Sequence, residues 1–187
     1  MSVLTAYSYA GVSPIGVSIV PPIQFPPEDF AVAGVRVNLI YGQHQKVYGF
    51  DFGAIGNITT QTMDGLQAVG GFNYNKGESN IIGAQVAGIG NWNINKSNVI
   101  GVQIAGLINS NRAESFVLGV IGSVVNLTEH TKVVGIEAGL YNKAHEVYGF
   151  QIGLVNMVES LHGLQLGLIN FHTHGVFSVS PFINFGF

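Results

Sequence analysis

The chain has 187 residues, a net charge of −3 and no cysteine; 47% of it is hydrophobic, 9% is charged, and the mean hydropathy is +0.37. Disulfides and thiolate metal sites are excluded, a basic footprint for nucleic acid is absent, and the charge content falls well short of the roughly 25% of ordinary soluble domains. Gly, Asn and Ser break every apolar run before about 18 residues, so the composition predicts no membrane-spanning helix but suits a transmembrane β-barrel.

The start, MSVLTAYSYAG, lacks a basic segment and a long apolar one and does not read as a signal peptide. If exported, the chain is expected to be a mature form with an added Met1. Residues 1–30 form an N-terminal segment with a Pro21, Pro22, Pro26, Pro27 cluster and no motif; residues 3–20 offer one or two strands. Repeat strands fill residues 31–187, and the whole of 1–187 reads as one domain.

The repeat opens on a glycine, an apolar residue and usually Gln. Copies start at Gly34, Gly49, Gly65, Gly83, Gly101, Gly119, Gly135, Gly149 and Gly163, spaced by 15, 16, 18, 18, 18, 16, 14 and 14 residues. GFQIGLVN and GLQLGLIN are the cleanest. With the period of two of a strand, one face carries Tyr148, Phe150, Ile152 and Leu154, then Leu164, Leu166 and Leu168. The other face is small, with one amide per strand. The copies at Gly65, Gly83 and Gly101 hold one extra residue before the Asn, which a β-bulge would absorb.

Asn57, Asn73, Asn91, Asn109, Asn126, Asn142, Asn156 and Asn170 are expected to begin turns, and most charges fall in those turns. Tyr41, Tyr48, Tyr74, Trp92, Tyr141 and Tyr148 near strand ends suit two aromatic belts. The final stretch alternates from Phe177 to Phe185 and ends on Phe187, resembling the terminal signature by which outer-membrane barrels are recognised for insertion. The repeat over residues 34–187 resembles a glycine-rich surface-repeat family of outer-membrane proteins in Gram-negative bacteria and spirochaetes, with apparent relatives among ring-forming proteins of predatory bacteria. That resemblance implies self-assembly.

The expected fold is therefore all-β: an antiparallel transmembrane β-barrel of about 10–12 short strands with a flattened or filled interior. Phe150, Ile152, Leu154, Leu164, Leu166, Leu168, Phe185 and Phe187 would face lipid. Arg36, Asp51, Gln67, Gln85, Gln103, Glu137, Gln151 and Gln165 would lie inside. Arg36 and Asp51 hold equivalent places in consecutive copies and can pair.

The six histidines, His44, His130, His145, His162, His172 and His174, read as turn residues. His172 and His174 stand two apart, but no metal site is expected. Ser160 near His162 and Ser178 near His174 are serine–histidine candidates by proximity alone, and no G-x-S-x-G elbow occurs; no enzyme activity and no cofactor are expected.

The expected function is a structural outer-membrane barrel assembling into a homo-oligomer, with membrane lipid, its own copies and the insertion machinery as partners. The alternatives are a small porin-like channel and a β-solenoid surface adhesin. Gln and Asn ladders suit the solenoid. Variable spacing, and the little room a 14-residue coil leaves for closure, oppose it.

Overall fold

The computed structural model describes residues 11–187. The start of the chain and the first part of the strand offered by residues 3–20 lie outside the described residues.

Among the described residues fifteen strands follow one another: β1 (Val12–Val20), β2 (Ile23–Phe25), β3 (Ala31–Asn38), β4 (Tyr41–Gly53), β5 (Gly56–Val69), β6 (Phe72–Asn75), β7 (Glu78–Ala87), β8 (Gly90–Asn93), β9 (Ser97–Ala105), β10 (Ile108–Asn111), β11 (Ser115–Gly122), β12 (Val125–Ala138), β13 (Tyr141–Ile152), β14 (Val155–His172) and β15 (Val179–Gly186). From β3 to β14 every pairing is parallel, and each copy lies on the one before it: Gly34 on Gly49, Gly101 on Gly119, Gly149 on Gly163. The chain is a β-solenoid.

This corrects the expected antiparallel barrel. A barrel joins its first strand to its last, whereas here the strand order runs openly from β15 to β2. The repeat explains why the parallel coil wins. Stacking equivalent positions puts amide on amide and glycine on glycine at most levels, and only parallel pairing in near-constant register does so. No lumen is enclosed, so the porin-like reading and the outer-membrane barrel location fall with the barrel.

Each coil contributes to two ladders. A short ladder takes four residues, such as Tyr141–Ala144; a long one takes seven or more, such as Glu146–Ile152. One corner is a tight two-residue turn, Gly153–Leu154 in that coil; the other is the single residue His145. Fourteen residues therefore close a coil. The longer coils put extra residues into the same corner, for instance 94–96 and 112–114, so variable spacing does not oppose a solenoid.

The additional residue of three copies is not a bulge. It extends the alternation by one inward position, filled by Val69, Ala87 and Ala105, which are all buried. A register shift sits elsewhere, between β5 and β7, where Gly65 faces Ile81 but Gln67 faces Gln85. It absorbs the change in spacing from 16 to 18.

The interior is part apolar and part polar. Ile81, Val99, Val117, Val133, Val147 and Leu161 form one continuous column with almost no exposure. Both ends are covered by strands that break the pattern. At the start, β1 lies parallel to β3 and the three-residue β2 runs antiparallel to β1. At the end, β15 runs antiparallel to β14. A short strand followed by Pro26 and Pro27, which lack N–H groups, makes a poor template for further pairing.

Candidate binding faces

The eight residues assigned to the interior, Arg36, Asp51, Gln67, Gln85, Gln103, Glu137, Gln151 and Gln165, all have 0% exposure. Arg36 forms a two-pronged ion pair with Asp51, Nε to Oδ1 at 2.7 Å and Nη2 to Oδ2 at 2.6 Å. Asn38 and Gln67 donate to the same carboxylate. Arg36 also donates to the Ile58 carbonyl and to Nδ1 of His44. An arginine only donates, so that Nδ1 is unprotonated and Nε2–H donates to the Pro26 carbonyl at 3.0 Å. Burial first, and then the charge of Arg36, lower the His44 pKa to about 4. His44 is thus a neutral buried residue and not a turn histidine.

The asparagines do not begin turns. Each sits second in a short-ladder strand and points inward. Asn91 shows the pattern: one Nδ2–H goes to Oδ1 of Asn109 at 2.9 Å and another to the Ile104 carbonyl beside the tight turn. The chain of donation runs from Asn38 to Asn170. The glutamines donate the opposite way, Gln165 to Gln151 and Gln103 to Gln85. Two antiparallel rows of amide dipoles therefore run through the core, and beyond the first residue, where Oδ1 of Asn38 finds no partner, each Asn oxygen accepts from the Asn before it.

Ile121 interrupts the glutamine row between Gln103 and Glu137. Glu137 consequently receives donors from Gln151 and Thr128 alone, and burial raises its pKa from 4.5 to about 7. The folded state thus holds a proton that the unfolded state releases. The contribution of Glu137 to stability is therefore greatest below pH 4.5, falls as pH rises to about 7, and stays reduced above. Glu137→Gln keeps the shape and removes the charge. The variant is expected to match the parent near pH 4.5 and to exceed it by on the order of 3 kcal/mol above pH 7. Urea unfolding at several pH values measures this.

Outside, the two faces differ. Beyond the glycines, the outward positions of the long ladder and the tight turns hold no charged residue from Val35 to Leu168. Phe50, Phe52, Ile104, Leu107, Phe150, Ile152, Leu154 and Leu168 are 41–57% exposed there. Leu164 and Leu166 are half-buried because β15 pairs across them; Phe185 and Phe187 stand exposed on that terminal strand. These residues do not girdle the molecule. They line one side of a rod, which overturns the lipid-facing assignment and the terminal insertion signature alike, since no barrel exists to be inserted.

The aromatic residues form no belts either. Tyr41 and Tyr141 share one outward column of the short ladder, and Tyr74 pairs with Trp92 in the next. Tyr48 and Tyr148 lie on the long ladder, where Tyr148 stacks on His162 at 4.2 Å. The Trp92 ring folds back over Gly90. It helps line a cleft of about 330 Å³ with Ile108, Ser110, Arg112, Leu127 and Glu129. A second cleft, of about 190 Å³, shares Glu129 and His130 and continues to Met157 and Phe171. Two ion pairs border this groove, Lys143 with Glu129 at 2.9 Å and His145 with Glu159 at 3.0 Å, while Arg112 of the first cleft belongs to neither. The repeat holds a signal for the groove, since Trp92, Ser110, Leu127, Met157 and Phe171 each directly follow a repeat asparagine, but reading those asparagines as turn residues conceals it.

His172 turns inward and its Nε2 accepts the Leu161 N–H, while His174 is exposed beyond the strand end. Among the described residues no group of three or more His, Asp or Glu could hold a metal ion, and no helix is long and apolar enough to cross a membrane. Compared with protein-family models, curated proteins and solved structures, the chain matches none. The resemblance to an outer-membrane surface-repeat family is thus supported neither by a family match nor by the fold.

Proposed function

We propose that the protein is a non-catalytic β-solenoid adhesin that grips an extended, neutral, hydroxyl-rich chain such as a polysaccharide along the groove of its short ladder. The observation that carries this reading is the continuity of the two clefts, which cross successive coils from Trp92 to Phe171 and share Glu129 and His130. An amphipathic aromatic plane bordered by donors and acceptors suits a ligand with both apolar and hydroxyl surfaces. The Lys143–Glu129 and His145–Glu159 pairs compensate charge along the second cleft, which favours a neutral ligand over an ionic one there. The clefts follow one another across successive coils, so several weak contacts along one polymer add up.

Beads carrying the protein are expected to be retained on immobilised neutral polysaccharide. Trp92→Ala should lower binding about 30-fold, as loss of a central aromatic anchor does, with thermal unfolding unchanged because Trp92 lies outside the core. Absence of retention on every polysaccharide tried, or full retention of Trp92→Ala, would refute the reading.

A further inference from the structure

We infer that the apolar side of the long ladder is covered by a second copy of this chain, in a two-fold dimer whose axis runs parallel to the strands through the fifth of the nine glycine-marked coils. This inference is independent of the polysaccharide reading and concerns the opposite face.

Size is the first argument. Nine coils at about 4.8 Å each, with outward side chains about 6.6 Å apart along the strand, give an apolar side on the order of 900 Å². A stable interface needs about 800 Å² per partner, and a lone protein rarely leaves much more than a few hundred Å² of continuous apolar surface uncovered. Ile82 at 66%, Phe50 at 50%, Ile100 at 48% and Leu107 at 57% exposure span the coils and the width of this side. Such an apolar surface, charged only along one border, resembles a core cut in half, the hallmark of an obligate homodimer interface.

Charge placement is the second argument, and it selects the symmetry. One border column of the long ladder is continuous in register: Tyr48, Asp64, Asn80, Asn98, Phe116, Lys132, Glu146. Asp64 lies in the third coil and Lys132 in the seventh, equally far from the fifth, which Gly101 marks. A two-fold axis along the strands keeps each column against itself and reverses coil order. Asp64 of each copy then faces Lys132 of the other. Lys132 also reaches Glu146 of its own chain at 3.3 Å and lies over the Tyr148 ring. Ile100, on the fifth coil, meets its own copy at the axis.

Sedimentation velocity of the full chain tests this. The parent protein is expected to be a dimer across the micromolar range. Ile100→Glu puts two carboxylates across the axis and should weaken the dimer at least about 100-fold. Its outward position leaves the fold intact, which circular dichroism checks. Asp64→Lys and Lys132→Asp should each weaken the dimer about fivefold or more, and the double reversal should restore it. A monomeric parent, a dimer indifferent to Ile100→Glu, or a double reversal without rescue would each overturn the inference. A monomer that floats with phosphatidylcholine vesicles would do so as well. Trp92→Ala should leave dimerisation untouched, so failure of either proposal is visible without the other.

Discussion

Asp51→Ala is expected to destabilise the solenoid by about 3–5 kcal/mol, because it leaves the Arg36 guanidinium buried without a counter-charge. Arg36 has no exposed surface and spends two donors on Asp51. The carboxylate in turn accepts from Asn38 and Gln67, so the loss reaches both amide rows at their first coils. Chemical denaturation measures the effect. Replacing both partners with apolar residues of similar volume, Arg36→Met with Asp51→Leu, should cost less than Asp51→Ala alone. A double variant as unstable as the single one would show that the hydrogen-bond network, rather than the orphaned charge, sets the cost.

Gly119→Ala is expected to cost at least about 3 kcal/mol or to prevent folding. Gly119 has φ of +138°, and a Cβ there would fall inside contact distance of the Gly101 carbonyl oxygen in the coil below. Backbone cannot retreat, since the same carbonyl belongs to the ladder. Gly122→Ala provides the control three residues away. Its Cβ would meet nothing closer than Ile104 Cγ1 at 3.8 Å, and thermal unfolding should shift little. Equal effects at the two positions would remove the steric account of the repeat glycine.

How much of this could be read beforehand depends on the residue. Arg36 and Asp51 become neighbours in any arrangement that stacks consecutive copies, so their contact required no knowledge of strand direction. Strand direction is not legible in this way. The Asn residues look like turn residues by chemistry, and that reading turned each following segment into a returning antiparallel strand. Their actual role, donating to the next coil and to the backbone beside the tight turn, exists only once identical positions are stacked. The Trp92 groove is a second case: Trp92, Leu127 and Met157 each directly follow a repeat asparagine and so share one outward column once the coils stack, but the clefts they line form only between stacked coils.

By itself the sequence determined a chain of strands with a coil-length repeat and a strict alternation of side chains, because those properties reside in local periodicity. The glycine row, the amide rows and the apolar side are consequences of the same repeat. Tertiary structure alone decided whether copies stack parallel or turn back on each other. That choice rests on contacts between residues 14–18 positions apart: Gln on Gln, Asn on Asn, Gly on Gly. No local pattern encodes them. The same choice decided the meaning of the apolar residues, which line one side of a rod and call for a partner there.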